Sequence, residues 1–139
     1  MKHILLIDDC EDFRTTSTQV LSHAGYLVST VATPKDAFLF LRKDAVDLII
    51  CDLHMPFTIG TDAKDYLTST EVGFRTAKEL NWALPQIPLI VLSSFPQIDL
   101  LRFSKFLDPI RAFTKPARAE ELVRIVEYAL EVREPLYYQ

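Results

Sequence analysis

Short apolar segments alternate with segments of helical periodicity along this chain. Four apolar runs occupy residues 4–7, 46–51, 87–92 and 110–113, and a more mixed run at 26–32 is a weaker fifth. Apolar runs without alternating polar positions are typical of parallel strands that are buried on both faces. The pattern therefore predicts five strands, with helices covering both sides of the sheet.

The segments between these runs carry apolar residues three and four positions apart, as one face of a helix does. Gly25 follows the first of these segments and is a typical helix-ending residue. Thr33 with Pro34 is a typical helix start, because the hydroxyl caps the helix and proline fits its first turn. The five helices are predicted at about residues 10–24, 34–44, 69–84, 97–107 and 117–134.

Strict alternation of strands and helices with short connections requires right-handed crossovers. It predicts an α/β fold with a doubly wound five-stranded parallel sheet. The ligand site of such a sheet lies outside the carboxyl ends of its strands. The 139 residues are enough for one domain, which we assign to residues 1–134, with a short tail at 135–139.

One connection is longer than usual for this kind of fold. The segment after the third strand is rich in threonine, and Thr68 with Glu71 has the spacing of a capping box at the start of the third helix. The sequence therefore predicts an extended polar loop at about residues 57–70, on the surface beside the ligand edge of the sheet.

The composition narrows the class of protein. Hydrophobic residues make up 49% of the chain, and 15 basic against 19 acidic residues leave a net charge of -4. The basic residues form no cluster, which argues against nucleic acid as a ligand. The two cysteines lack the spacing of a disulfide framework or a zinc site, and the first apolar run is too short for a signal peptide or a membrane span. We therefore expect a cytoplasmic protein that binds neither nucleic acid nor membrane.

Charged and hydroxyl side chains follow the predicted strands at their carboxyl ends. They are Asp8 and Asp9 after the first strand, Asp52 after the third, Ser93 and Ser94 after the fourth, and Lys115 after the fifth. Because the carboxyl ends of parallel strands meet at one edge, the three carboxylates are expected within a few ångströms of each other. At that distance they repel by roughly 4 kcal/mol per pair at an effective dielectric of ~20, so a cation is expected beside them. Oxygen ligands at an open edge favour Mg²⁺.

The same side chains suit a phosphoryl group. Mg²⁺ and Lys115 would neutralise its oxygens, Ser93 would donate a hydrogen bond, and a carboxylate would attack phosphorus. Asp52 is the predicted nucleophile because it alone ends the central buried strand, whereas Asp8 and Asp9 form a ligand pair. The plain alternative is an acidic helix start favoured by the helix dipole, but a third acid on an apolar strand argues against it.

Four short motifs occur in order at these strand ends. They are Leu6-Ile7-Asp8-Asp9, Cys51-Asp52-Leu53-His54-Met55-Pro56, Leu92-Ser93-Ser94 and Thr114-Lys115-Pro116. Together they resemble the signatures of the response regulator receiver domains of two-component phosphorelays, and the resemblance covers essentially the whole chain. It implies a flavodoxin/CheY-like fold with strand order 2-1-3-4-5, to which the loop after the third strand is an addition.

The resemblance also implies the chemistry of the site. Asp52 would accept a phosphoryl group from a histidine kinase or a histidine phosphotransfer protein. Asp9 and Asp52 would bind Mg²⁺ directly, the His54 backbone carbonyl would complete the protein ligands, and Asp8 would act mostly through water. Ser93 and Lys115 would hold the phosphoryl oxygens.

The resemblance further implies how the state of the site reaches a downstream protein. The partner would bind the face formed by the fourth helix, the fifth strand and the fifth helix, which here carries Phe95, Phe103 and Phe106. The chain would be a single-domain regulator without an output domain, and not an enzyme. We expect the loop at 57–70 to restrict or select phosphoryl donors.

Some features depart from the family pattern. Asp52 and Ser93 are 41 positions apart, roughly ten more than is usual, and either Gly60 or Gly73 could be the glycine that normally precedes the third helix. Ala112 stands where an aromatic switch residue is usual. A receiver-like interaction module that works without phosphorylation therefore stays open. A flavodoxin-like cofactor protein or a haloacid-type phosphatase is disfavoured by the motif after the first strand.

Overall fold

The computed structural model describes residues 1–53, 63–94, 110–116 and 118–132, with residues 63–72 and residue 132 as backbone only. The strands are β1 His3–Ile7, β2 Leu27–Val31, β3 Leu48–Asp52, β4 Leu89–Ser93 and β5 Arg111–Thr114. The helices are α1 Glu11–His23, α2 Pro34–Lys43, α3 Ala63–Ala83 and a further helix at Ala119–Val132, called the C-terminal helix below.

The five strands form one parallel sheet in the order β2-β1-β3-β4-β5. This confirms the predicted α/β fold, its doubly wound sheet and its strand order. The register pairs Ile7 with Cys51 and Ser93 with Thr114. Strands β1, β3, β4 and β5 therefore end at nearly the same level of the sheet, which is where the candidate side chains were expected.

Two hydrophobic clusters lie on opposite faces of the sheet. Leu5, Ile7, Ile49 and Cys51 belong to the cluster under α2 and α3, whereas Ile4, Leu6, Leu48 and Ile50 belong to the cluster under α1 and the C-terminal helix. Successive residues of a strand point to opposite faces, so a strand covered on both sides needs apolar side chains at every position. This is the physical reason for the unbroken apolar runs.

The predicted roles of Thr33 with Pro34 at the start of α2, and of Gly25 after the end of α1, are confirmed. The hydroxyl of Thr33 accepts a hydrogen bond from the Asp36 backbone N–H at 3.1 Å, with Pro34 in the first turn of α2. Gly25 has a φ of 101°, which favours glycine, and its N–H donates to the Ser22 carbonyl. The predicted stripe of α1 was one residue too long at each end, because Cys10 and Ala24 are both exposed caps.

The predicted start of the third helix is wrong. Helix α3 begins at Ala63, so Thr68 and Glu71 lie inside the helix and form no capping box at its start. Threonine and serine have lower helix propensity than alanine, but no glycine or proline interrupts 63–70 and a helix once started extends at little cost. Residues 63–70, more than half of the predicted loop at 57–70, are therefore helical. Residues 57–62, the predicted helix at 97–107 and the tail at 135–139 lie outside the described residues.

None of the helices in the described part of the chain is both long enough and apolar enough to cross a membrane.

Gly73 allows α3 to pass close to the end of β3. A Cβ atom at this position would overlap the carbonyl oxygen and carbon of Leu53, the residue after Asp52. Of the two candidate glycines, Gly73 is thus the one with a demonstrated steric role, and Gly60 lies outside the described residues.

Helix α3 extends well before this close approach. Ala63 precedes Gly73 by ten residues, about 15 Å of helix, so the first turns of α3 extend beyond the level of Leu53. A role of this extension in donor selection stays a prediction.

We expect Gly73→Ala to destabilise the domain by about 1–3 kcal/mol, because backbone atoms of Leu53 must move to admit the methyl group. Helix propensity alone would favour alanine by about 1 kcal/mol, so the two effects have opposite signs. Urea unfolding measures the difference. Glu79→Ala, an exposed site on the same helix, is the control and should change stability by less than about 0.5 kcal/mol. A Gly73→Ala protein as stable as the original would show that the close approach is absent.

Candidate functional site

Asp8 and Asp52 are neighbours at the carboxyl edge of the sheet. Asp52 is the last residue of β3, and the pairing of Ile7 with Cys51 places Asp8 beside it in the next register position. Both are buried, with exposed fractions of 0% for Asp8 and 2% for Asp52. Two buried carboxylates side by side are costly unless a cation compensates them.

Backbone and side-chain groups of α1 fix the position of Asp8. Its Oδ1 accepts a hydrogen bond from the Cys10 backbone N–H at 2.9 Å, and its carbonyl oxygen accepts one from Arg14 Nη1 at 2.8 Å. Its own N–H donates to the Val31 carbonyl at 3.1 Å. Strand β2 and helix α1 together therefore hold this carboxylate in one place.

Asp9 completes an acidic cluster with the two buried acids. One oxygen from each of Asp8, Asp9 and Asp52 lies within 4.8 Å of the others. Asp9 is exposed, yet partial burial and then the neighbouring charge of Asp8 raise its pKa above the ordinary value. The raised pKa means that the ionised carboxylate of Asp9 is held at a cost.

Lys115 brings a positive charge to this cluster. Its Nζ lies 2.9 Å from Asp8 Oδ2 and 3.5 Å from Asp52 Oδ1, and its backbone N–H donates to the Ser93 carbonyl at 2.7 Å. Burial lowers the pKa of Lys115, but the charges of Asp52 and Asp8 outweigh burial and raise it overall. The side chain is therefore a protonated cation held between two carboxylates.

The residues fit a hard divalent cation. Three carboxylates and one ammonium leave the cluster with an excess of negative charge, and its oxygen donors are those that Mg²⁺ prefers. Although Lys115 Nζ is 2.9 Å from Asp8 Oδ2, no described group makes a hydrogen bond of good angle to that buried oxygen. The cluster therefore has both the charge and the acceptor capacity that a metal ion would use.

Ser93 lies where the sequence predicted it. It is the last residue of β4, is fully buried and pairs with Thr114 of β5, while Ser94 is exposed. The edge thus brings together Asp8, Asp9, Asp52, Ser93 and Lys115. Other residues given a role by sequence lie outside the described part of the chain, namely His54, Phe95, Phe103 and Phe106.

Two residues of the site were not predicted from sequence. The ring of Phe13 lies under the Lys115 ammonium, with Nζ 4.7 Å from the ring centroid. Arg14 reaches the Asp8 carbonyl. Phe13 was expected only as part of the inward stripe of α1, and its place four residues after Asp9, on the first turn of a helix that starts at the same edge, was the available signal.

Ala112 lies on the face of β5 opposite to its aromatic neighbour. It pairs with Val91 and packs against the cluster under α2 and α3. Phe113 points the other way and makes an edge-to-face contact with Tyr128, with ring centroids 6.2 Å apart. Because strand neighbours alternate in direction, Phe113 cannot take the place of a ring at position 112.

In a comparison with protein families, the family model of the response regulator receiver domain matches residues 4–127 of this chain. The chain belongs to this family. Receiver domains are signalling modules of two-component systems and not classical enzymes; they bind Mg²⁺ at an acidic pocket and interact with histidine kinases or phosphotransferases. This receiver has an acidic cluster, formed by Asp8, Asp9 and Asp52, at the carboxyl edge of its sheet.

Individual relatives agree with this assignment. The receiver is 24% identical over 130 residues to the sporulation initiation phosphotransferase F of Bacillus subtilis, with 94% of each chain covered. It is 28% identical over 130 residues to the putative two-component response regulator ARR21 of Arabidopsis thaliana. That match covers 92% of this chain but only 19% of the plant protein.

The fold agrees with solved receivers as well. The response regulator protein TrrA from Thermotoga maritima, in complex with Mg²⁺ and BeF, superimposes with a TM-score of 0.72 at 23% identity. The superposition covers 94% of this chain and 100% of that one. Chemotaxis protein CheY4 of Vibrio cholerae gives a TM-score of 0.75 at 23% identity, covering 94% and 99%.

Proposed function

We propose that this receiver accepts a phosphoryl group on Asp52 from the phosphohistidine of a histidine kinase or a histidine phosphotransfer protein, in a reaction that depends on Mg²⁺. One observation carries the proposal: a buried carboxylate ends the central strand, beside two further acids and 3.5 Å from a lysine ammonium. Once Mg²⁺ offsets the excess negative charge of the acids, the ion and the ammonium together suit a group that carries several negative oxygens.

The surroundings of the three acids favour Asp52 as the nucleophile. Asp8 Oδ1 accepts a hydrogen bond from the Cys10 N–H, and Asp8 Oδ2 forms the shorter of the two ion pairs with Lys115, at 2.9 Å. Asp9 is exposed and lies in the turn between β1 and α1. Asp52 ends the central strand and has a longer contact to Lys115, at 3.5 Å, so an oxygen of Asp52 can approach phosphorus with the ammonium close by.

The transfer balances without any further reactant. A carboxylate oxygen of Asp52 forms the new P–O bond, and the P–N bond to the donor histidine breaks as it forms. The electron pair of that bond returns to the imidazole, which is already protonated on its other ring nitrogen and therefore leaves as the neutral ring. The product is an acyl phosphate on Asp52, whose added charge Lys115 partly neutralises.

The acids of the cluster would hold Mg²⁺ with divided roles. Asp9 and Asp52 would bind it directly, Asp8 through water, and the His54 backbone carbonyl would complete the protein ligands. When bound, the ion supplies positive charge for the oxygens of the transferred group. Ser93 would donate its hydroxyl hydrogen to a phosphoryl oxygen, and Lys115 would contact another.

We further propose that residues 1–134 act as one receiver domain, followed by a short tail at 135–139. A downstream protein would bind the face made by the predicted helix at 97–107, β5 and the C-terminal helix.

The second candidate function is that of a receiver-like interaction module that works without phosphorylation. Ala112 supports it, because a methyl group cannot perform the movement of an aromatic ring that couples this face to the site.

Uptake of phosphoryl groups from a small donor separates the two candidates. We expect the purified protein with Mg²⁺ and acetyl phosphate or phosphoramidate to gain the mass of one phosphoryl group, and to lose it with hydroxylamine, which cleaves acyl phosphates. Omitting Mg²⁺ should suppress the gain. No adduct with either donor would favour the phosphorylation-independent module.

A further inference from the structure

Phe13 contacts the cation of the site with the face of its ring. Nζ of Lys115 lies 4.7 Å above the centroid of the Phe13 ring, within the range of a cation–π interaction. The ring is half-buried and packs against the hydrophobic cluster under α1 and the C-terminal helix. Its edge is therefore held by the core while its face is offered to the ammonium.

The ammonium is thus confined by three neighbours. Asp8 Oδ2 lies at 2.9 Å, Asp52 Oδ1 at 3.5 Å, and the aromatic face closes a further side. The lysine side chain is still 21% exposed, so solvent competes for the same charge. An aliphatic side chain at position 13 would also pack against the apolar cluster, but it would offer the ammonium no negative face.

We propose that Phe13 is a positioning residue for Lys115. Its ring keeps the ammonium over the acid pocket, within reach of Asp52, so that the cation need not be recovered from solvent when a phosphoryl group arrives. The effect on phosphoryl transfer rests on the proposed function, whereas the effect on the position of Lys115 does not. The ring adds an attraction that opposes movement of the ammonium into solvent.

Two variants separate ring chemistry from core packing. Phe13→Leu keeps an apolar side chain of similar bulk but removes the aromatic face, and Phe13→Tyr keeps the face. Phe40→Leu is the matched control, because Phe40 is also half-buried on a helix and its ring contacts His3, at the opposite edge of the sheet. Thermal unfolding verifies that each variant folds, and Phe13→Met replaces Phe13→Leu if the latter does not.

The first measurement is the NMR spectrum of the Lys115 side chain in metal-free protein. A proton above a ring is shifted upfield, so the ε-methylene and ammonium protons of Lys115 should lie upfield in the original protein, Phe13→Tyr and Phe40→Leu. Phe13→Leu should move them toward ordinary lysine positions. Unchanged Lys115 shifts in Phe13→Leu would overturn the proposal, whether or not any protein accepts phosphate.

The second measurement is the rate of phosphoryl uptake from acetyl phosphate at saturating Mg²⁺. Phe13→Leu should be slower by about two- to fivefold, the factor that corresponds to the strength of an exposed cation–π pair. Phe13→Tyr should restore the rate, and Phe40→Leu should keep it. Equal rates in Phe13→Leu and the original protein would overturn the positioning role. If even the original protein takes up no phosphate, the proposed function fails, and the Lys115 shifts alone decide whether Phe13 positions the cation.

Discussion

Replacing Lys115 by glutamine should give the largest combined change in this receiver: slower phosphoryl uptake, tighter Mg²⁺ binding and lower stability without metal. The ammonium lies between Asp8 and Asp52, both of which are buried. Its removal leaves two buried carboxylates without their cation, which costs about 1–3 kcal/mol once partial exposure of the lysine is allowed for.

The three effects have different signs and so test the electrostatic argument together. Loss of a competing positive charge should raise Mg²⁺ affinity by roughly tenfold, and saturating Mg²⁺ should restore most of the lost stability. Uptake from acetyl phosphate should nevertheless fall by roughly 100-fold, because a donor to the transferred group is missing. Calorimetric Mg²⁺ titration, urea unfolding with and without Mg²⁺, and intact-mass kinetics measure the three effects.

Lys35→Gln is the control for net charge, since Lys35 is exposed on α2. It should leave all three quantities nearly unchanged. A Lys115→Gln protein with unaltered Mg²⁺ affinity would contradict the picture of a lysine that shares the acid pocket with the metal. The pKa of Lys115 is raised in the folded protein. Its ion pairs therefore contribute their full stabilisation at neutral pH, and this stabilisation is lost only as the pH rises through the pKa of Lys115 in the folded state.

Asp9→Ala should have the second largest effect, a loss of Mg²⁺ affinity of roughly tenfold or more. Asp9 is the exposed member of the cluster, and its raised pKa shows that burial and the charge of Asp8 oppose its ionised form. The variant should therefore be slightly more stable than the original protein without metal, and less stable in saturating Mg²⁺.

Asp12→Ala is the matched control, because Asp12 is an exposed acid on the first turn of α1. It removes the same charge a few residues away and should change Mg²⁺ affinity by less than about twofold. Calorimetry and urea unfolding at several Mg²⁺ concentrations distinguish the two variants. Equal affinities in Asp9→Ala and Asp12→Ala would show that the metal binds elsewhere.

The fold could be predicted because its main signals are local. Unbroken apolar runs such as 4–7 reflect strands packed on both faces, and alternation with helices restricts the connections to a few topologies. The start of α3 could not be predicted in this way. The hydroxyl residues of 63–70 resemble a loop in composition, yet they extend a helix that Gly73 and the end of β3 hold in place.

The composition of the site could be predicted, but its internal geometry could not. Each candidate lies within two residues of the end of an apolar run, so the edge of the sheet gathers Asp8, Asp52 and Lys115. The burial of Asp8 and the exposure of Asp9 depend on how the chain turns into α1. The contact of Phe13 with Lys115 joins elements that are distant in sequence, and the place of Phe13 in the first turn of α1 is only a weak signal of it.

The central claim, that Asp52 is the acceptor, is tested most directly by locating the phosphoryl group in the chain. The original protein, Asp52→Asn and Asp8→Asn are incubated with Mg²⁺ and acetyl phosphate, and intact mass is followed by peptide mapping. We predict one phosphoryl group in the original protein, on the peptide that contains Asp52, and none in Asp52→Asn. Asp8→Asn should accept it more slowly but at the same residue. An adduct that persists in Asp52→Asn at the original rate would contradict the claim.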